Sequence, residues 1–351
     1  MHQIVLDDMR EMHSDKSVPW ERLHGKTVLI SGGYGMLASY LVYMLIYLNE
    51  IDPGANITIL VMGRDADKLR RRFSSYVEKE YFVPVLEDVV AFSQSFPRAD
   101  FVVHAASHAS PHIYGVAPVD VILPNAIGTW RLLEKARADK SEGFLFISSG
   151  EAQGVLEGKD LIAEDDMGYI NPMEIRSCYG ESKRLGEALC KGYSHQYGVP
   201  AKVVRPGHTY GPTIDLADSR VFSSFVADSV FGRDIHMKSD GMAVRNFCYI
   251  TDATRAYFKV LLDAPAGEVF NVTESSNAMT IGALALLIAG LSRRSGTKVV
   301  RVSRDGADPY LEVAKPARYP VCSSAKLKAL GWESFVGVEE GFRRTLDSFV
   351  S

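Results

Sequence analysis

Two side chains four residues apart, Tyr179 and Lys183, carry the sharpest chemistry in this sequence. If Cys178-Tyr179-Gly180-Glu181-Ser182-Lys183 opens a helix, both project from one face, one turn apart. A free phenol titrates near ~10 and is a poor base at neutral pH. An ammonium held beside it favours the phenolate and lowers that value. Tuned in this way, Tyr179 could take the proton of an alcohol while hydride leaves the same carbon. The spacing alone suits a plain surface helix equally well and gains weight only from its surroundings. A second pair, Ser149 and Glu151, follows the apolar run Gly143 to Ile147. If that run is a strand, the pair stands at its C-terminal end, where open parallel sheets hold their ligands. Ser149 is then a candidate donor to a substrate oxygen and Glu151 a candidate general base. A strand-end cap and a solvated loop acid are the plainer alternatives.

The elements that must position these groups are legible from periodicity. Lys26 to Ile30 is a short β-rich run, and Ser31-Gly32-Gly33-Tyr34-Gly35-Met36-Leu37-Ala38 follows it directly, before a long apolar stretch. Strand, glycine turn and helix together predict a dinucleotide site rather than a plain turn. Gly32 permits the tight turn. Gly35 lets the backbone approach a pyrophosphate at the helix N-terminus, and Ala38 still allows close helix–strand packing. Asn56 to Met62 is a second strand. An acidic residue usually ends it in an NAD site, but Met62 stands there, followed by Gly63-Arg64-Asp65. Arg64 could pair with a 2′-phosphate or stack on adenine, which leaves NADP open, and Asp65 could cap the next helix.

Phe82 to Asp88 reads as a third strand, with Asp88 a plausible partner for the adenine amino group. Phe101 to Ala106 reads as a fourth, running into small residues that let a cofactor come close. His104, His108 and His112 are spaced by four, but Pro111 and its Ser/Ala neighbours predict a loop. No carboxylate or cysteine is interleaved, so no metal site is expected. Asn125 to Ala136 is amphipathic at helical spacing. Gly143 to Ile147 and Ala201 to Pro206 are the fifth and sixth strands, the latter after a helix from Tyr179 to Tyr197.

The alternation from Lys26 to Arg205 predicts an α/β fold with a Rossmann-type doubly wound parallel sheet. Beyond Pro206 the pattern loosens into glycine, proline and polar loops, as in a smaller C-terminal α/β substrate domain. The expected organisation is an extension over 1–24 packed on the outside, a dinucleotide-binding domain over 25–206 and a mainly substrate-binding part over 207–351. A segment near 247–272 is expected to return to the first domain. Arg220 and Arg245 are candidate phosphate ligands, because a guanidinium fork matches phosphate oxygens.

Composition narrows the function classes. The chain has 351 residues, 46% hydrophobic and 23% charged, with a net charge of −4. No basic stripe points to nucleic acid, and Arg70-Arg71-Arg72 reads as a solvated helix face. The start, Met1 to Asp8, is acidic and mixed and does not read as a signal peptide. Met36 to Leu48 is shorter than the ~20 residues a membrane span needs. Four scattered cysteines without a Cys-x-x-Cys pair predict a reduced, cytoplasmic protein.

Together these pieces resemble the extended short-chain dehydrogenase/reductase family, and within it the enzymes acting on nucleotide sugars. The matching stretches are Ser31-Gly-Gly-x-Gly35, His104-x-Ala106, Asn125-x-x-Gly128-Thr129, Ser148-Ser149, Tyr179-x-x-x-Lys183 and Arg205-Pro206. His208 to Pro212, Ser219 to Phe222 and Arg245 to Asp252 complete the set, which spans about Gly25 to Arg344. Three stretches look most like UDP-glucuronate decarboxylases: Ala109-Ser110-Pro111-x-x-Tyr114 leading to Asn125, Arg176-Ser-Cys-Tyr179 through Glu187, and Val244-Arg245-x-Phe247. Three positions depart from the family pattern. Gly150 replaces the Ser of decarboxylases and the Asp acid of 4,6-dehydratases, His208 replaces a substrate-binding Asn, and Gln153 replaces a Tyr.

The resemblance implies NAD held by Gly32, Gly33, Gly35, Met36, Arg64, Asp88, His104, Ala105, Ala106, Asn125, Tyr179, Lys183 and Arg205. It implies a nucleotide-diphosphate sugar held by Ser110, Tyr114, Ser149, His208, Arg220 and Arg245. Ser149, Glu151, Tyr179 and Lys183 would act through a transient 4-keto sugar, ending in decarboxylation, with 4,6-dehydration or 4-epimerisation as alternatives. A non-catalytic NAD(P)-binding sensor is a further alternative, against which the intact Ser149, Tyr179 and Lys183 set argues. The family also implies a homodimer built on the Asn125 and Tyr179 helices.

Overall fold

The computed structural model describes residues 1–93, 96–156, 158–302 and 321–350. Seven parallel strands form the main sheet: β1 (Thr27–Ser31), β2 (Thr58–Met62), β3 (Phe82–Val85), β4 (Phe101–His104), β5 (Gly143–Ile147), β6 (Ala201–Pro206) and β7 (Val269–Val272). Their spatial order is β7-β6-β5-β4-β1-β2-β3, so the winding reverses between β1 and β4. Ligands bind at such a reversal, outside the carboxyl ends of the strands. The glycine turn after β1 and the small residues after β4 meet there.

Side-chain alternation sends each strand's residues into two apolar layers. On one face Val28, Ile30, Val61, Val103 and Leu145 pack with α2 (Met36–Ile51) and α9 (Ile250–Asp263). On the other, Leu29, Leu60, Val102 and Phe146 pack with α6 (Thr129–Asp139) and α7 (Ser177–Tyr197). Every residue of α2 from Ala38 to Leu48 is buried, as its continuous apolar run requires. Each large aliphatic in that run contributes about 1.5–3 kcal/mol. Gly186 brings α7 onto β5: a Cβ there would meet the Phe146 ring at 2.5 Å.

Past β6, the strands His208–Tyr210, Val244–Tyr249 and Ala278–Thr280 form a smaller sheet. α8 (Val221–Val230) contributes to the apolar layer beside it, and α9 and β7 return to the main sheet. Residues 303–320, within the expected substrate-binding part, lie outside the described residues.

Three local expectations change. The segment around Pro111 is a short helix, α4 (Pro111–Val116), with proline at its first position, where no N–H is needed. The third strand stops at Val85, and Asp88 stands in the turn beyond. The leading residues form α1 (Gln3–Ser14), which lies over α2 and α9 and adds Val5, Met9 and Met12 to the core. Asp8, fully buried, takes hydrogen bonds from Tyr40 (2.7 Å) and Tyr249 (2.8 Å). Arg344, in the helix Val338–Asp347, pairs with the same carboxylate at 3.1 Å. Among the described residues, no helix is long and apolar enough to cross a membrane.

Candidate active site

The ends of β1, β4, β5 and β6 open onto one cavity of about 2550 Å³. A single ligand site usually measures ~300–1,000 Å³, so this cavity has room for a dinucleotide and a second large ligand. Its dinucleotide side is the glycine turn. Gly32 has φ +68°, and a Cβ there would meet the Ala106 Cα at 2.8 Å. Gly35 is the N-cap of α2 and no side chain caps the helix, so its first N–H groups remain for an anion. Gly35, Met36 and Ala105 line the cavity. These features fit a bound nicotinamide dinucleotide.

The chemistry lies where β5 meets α7. Tyr179 and Lys183 share one face of the helix as their spacing requires, and both are buried. The Ser149 hydroxyl lies beside the Tyr179 phenol and favours its ionised form. Lys183 donates to the Ile147 carbonyl at 2.7 Å, and its ammonium stands 5.7 Å from the Tyr179 ring centre. The electrostatics depart from the expectation of a lowered phenol. Burial, and then the nearby Glu151 carboxylate, push Tyr179 up to about 12, against the Ser149 hydroxyl and the Arg220 and Arg176 guanidinium groups. Burial also pushes Lys183 down to about 7, with Glu187 acting in the opposite direction. The protein alone therefore holds a protonated phenol beside a lysine poised to lose its proton.

Glu151 is not free. Arg176 grips both its oxygens, at 2.7 and 3.2 Å. Arg176 sits three residues before Tyr179, at the N-cap of α7, and its guanidinium lies 5.7 Å from the Tyr114 ring centre. Tyr114 stacks on Tyr179, with ring centres 5.0 Å apart and 14° between planes. Arg176 lies in one of the stretches that carry the family resemblance, without a role implied by it. Its position one turn before Tyr179 was the available signal.

Ser110, Tyr114, His208, Arg220 and Arg245 line the remainder of the cavity. Arg220 is bound to Asp218, Nε to Oδ2 at 2.8 Å, and Arg245 donates to the Val244 carbonyl at 2.8 Å. Burial and these two guanidinium groups push His208 down to about 3, so it is neutral at physiological pH.

Several expected cofactor ligands lie behind the cavity. His104 is bonded to Ser31 Oγ (2.7 Å) and the Pro124 carbonyl (3.0 Å), and Ser31 in turn accepts from the Ala105 and Ala106 N–H groups. It braces the turn from below. Asn125 donates to the Val121 carbonyl and Ser182 Oγ, both at 3.0 Å. Arg205 is buried on Glu187 at 2.9 and 2.6 Å, and Glu187 also accepts from Ser148. Arg64 and Asp88 are paired with each other at 3.3 Å. Gln153 donates to the Ala163 carbonyl at 2.6 Å and is structural. Among the described residues, no group of three metal-binding side chains comes together.

Comparison with known proteins matches residues 28–273 to the model of the NAD dependent epimerase/dehydratase family. UDP-glucuronic acid decarboxylase 1 of Xenopus tropicalis is 30% identical over 327 residues, covering 92% of this chain and 72% of the relative. A dTDP-D-glucose 4,6-dehydratase of Bos taurus is 25% identical over 332 residues, 92% of this chain and 88% of the relative. In fold, the chain resembles the UDP-glucose 4-epimerase of Thermotoga maritima, with TM-score 0.75, 24% identity and coverage of 92% and 98%.

Proposed function

We propose that this chain, which belongs to the NAD-dependent epimerase/dehydratase family, decarboxylates a nucleotide-linked uronic acid through a 4-keto sugar. The carrying observation is the bidentate Arg176–Glu151 pair beside a residue, Gly150, that has no side chain. A 4,6-dehydratase needs a base to take the C5 proton and an acid to expel the C6 hydroxyl. Here both oxygens of the candidate base are engaged, and the acid's position is empty of any proton donor. Loss of CO2 needs neither group. A carboxylate on C5 lies β to a C4 ketone, so the C5–C6 bond breaks, CO2 leaves and the electron pair passes to the ketone oxygen; the resulting enolate then takes a proton at C5 from water to give the 4-keto pentose. The likeness to UDP-glucuronic acid decarboxylases supports the same reading.

When bound, NAD supplies the hydride acceptor that oxidises C4 and can return the hydride afterwards. The protein's residues manage protons and position. Tyr179 takes the C4 hydroxyl proton, with Ser149 bonding the same oxygen. The Lys183 ammonium, when charged, favours the phenolate at that moment. As the ketone gains electrons, the Tyr179 O–H and Ser149 stabilise the oxyanion. Arg220 and Arg245 hold the sugar's diphosphate, and neutral His208 offers an uncharged hydrogen-bonding edge. Arg176 holds Glu151 in place at the C5 side.

The assembly we propose is a homodimer. Val119, Ile122, Ile127 and Trp130 recur at helical spacing along α5 (Pro118–Leu123), the following turn and α6, and all are exposed. Leu185 on α7 is exposed as well. The four unpaired thiols fit a reducing, cytoplasmic setting.

The test is mass spectrometry of the products from UDP-glucuronate. Loss of CO2 to a UDP-pentose or its 4-keto form is expected. An unchanged mass with altered retention would mean epimerisation, and loss of water from a nucleotide hexose would replace this reading with dehydration.

A further inference from the structure

We infer that Arg176 recognises the carboxylate of the sugar, through the edge of its guanidinium that Glu151 leaves open, an inference that rests on the uronic-acid reading above. The C6 carboxylate is separated from C4 only by C5, so a group that reads it must stand close to the Tyr179 phenol, which meets the C4 oxygen. Arg176 stands there. It lies three residues before Tyr179 at the start of α7, lines the cavity, and its charge is felt at the phenol. Its guanidinium lies over the ring of Tyr114, which stacks on Tyr179. The other cations of the cavity are placed for different work. Arg220 is fixed to Asp218 through Nε at 2.8 Å and Nη2 at 2.7 Å, and with Arg245 it serves the diphosphate. Lys183 is buried on the Ile147 carbonyl. Lys68, Arg71 and Arg72 belong to α3 (Ala66–Arg72), which follows β2 on the dinucleotide side. Lys238 follows the strand Ile235–Met237 of the substrate-binding part.

A guanidinium carries five N–H groups in a rigid plane. Glu151 takes one from Nη1 at 2.7 Å and one from Nη2 at 3.2 Å. Nε and the second N–H of Nη2 form another edge, which matches both oxygens of a carboxylate. The Arg176 side chain is 34% exposed, so a ligand in the cavity can reach it. Glu151 then has a part other than that of a base. It cancels much of the charge of Arg176, so the substrate carboxylate is held by direction more than by charge. That balance suits the reaction. CO2 leaves as a neutral molecule, and an attraction that is lost as the C5–C6 bond breaks raises the barrier. A hexose has a hydroxymethyl group at this place and leaves the second edge without its anionic partner.

The test is titration calorimetry with UDP-glucuronate and UDP-glucose, in the Tyr179→Phe background with NAD added, so that the ligands bind without turning over. UDP-glucuronate should bind about tenfold tighter or more, as one charge-assisted contact supplies. Adding Arg176→Gln should remove most of that preference and leave UDP-glucose binding within about twofold. Adding Glu151→Gln instead should act in the opposite direction and tighten UDP-glucuronate about fivefold, because a like charge beside the carboxylate is gone. A pair that only braces the start of α7 would lose affinity whichever partner is changed. A preference retained in Arg176→Gln, an equal loss for both sugars in that variant, or UDP-glucuronate binding that is unchanged or weaker in Glu151→Gln overturns the inference while the uronic-acid reading stands. A Tyr179→Phe chain that binds UDP-glucose as tightly as UDP-glucuronate overturns both.

Discussion

Replacing Lys183 by Met should stabilise the fold while ending turnover. Burial brings the Lys183 ammonium from its ordinary 10.5 to about 7. Over that interval the unfolded chain holds a proton that the folded chain has released, so stability rises with pH from about 7 to about 10.5. Below pH 7 the full cost of the buried charge is present, about 5 kcal/mol from the size of the displacement. Methionine has a similar length and no charge. It forfeits the bond from Nζ to the Ile147 carbonyl, worth about 1 kcal/mol, and local relaxation in the native chain already offsets part of the rest. A net gain of about 2–3 kcal/mol at pH 6 is therefore expected, shrinking to zero or below near pH 10. Urea unfolding at both pH values, followed by the fluorescence of buried Trp20 and Trp332 at equal cofactor content, measures it. A variant that is destabilised at pH 6, or whose effect is the same at both pH values, would refute the picture of a desolvated lysine beside Tyr179.

Tyr179→Phe should lower kcat by about 10²–10⁴-fold, the usual worth of a positioned acid–base group, with an unchanged circular dichroism spectrum. Near-normal turnover would remove Tyr179 from the reaction. Gly32→Ala must place a Cβ 2.8 Å from the Ala106 backbone at φ +68°, so dinucleotide affinity should fall by more than about tenfold in calorimetry. Trp130→Glu sets a charge in the exposed apolar stripe and should shift the protein from dimer to monomer in light scattering, whereas an unchanged mass would place the interface elsewhere.

The alternation of strands and helices was legible because each element repeats its own period within a few residues. The glycine turn was legible for the same local reason, and so was the pairing of Tyr179 with Lys183 on one helical face. The cysteine and charge distributions bounded the function classes without any knowledge of the path of the chain.

What the sequence could not supply depends on residues far apart in the chain. Asp8 joins Tyr249 and Arg344 across more than two hundred residues, so a segment without strand pattern becomes part of the core. Arg205 and His104 belong to the family's motifs, yet the tertiary path turns them toward Glu187, Ser31 and Pro124 and away from the cavity. Spacing placed an ammonium beside a phenol, and the sign expected of that pair assumed water around both. Burial reverses it, because desolvation disfavours whichever form is charged and acts on Lys183 and Tyr179 together. Residue types and intervals thus determined which groups could meet in the site. Only the folded chain decided how dry they are and which of them, like Glu151 on Arg176, are already held.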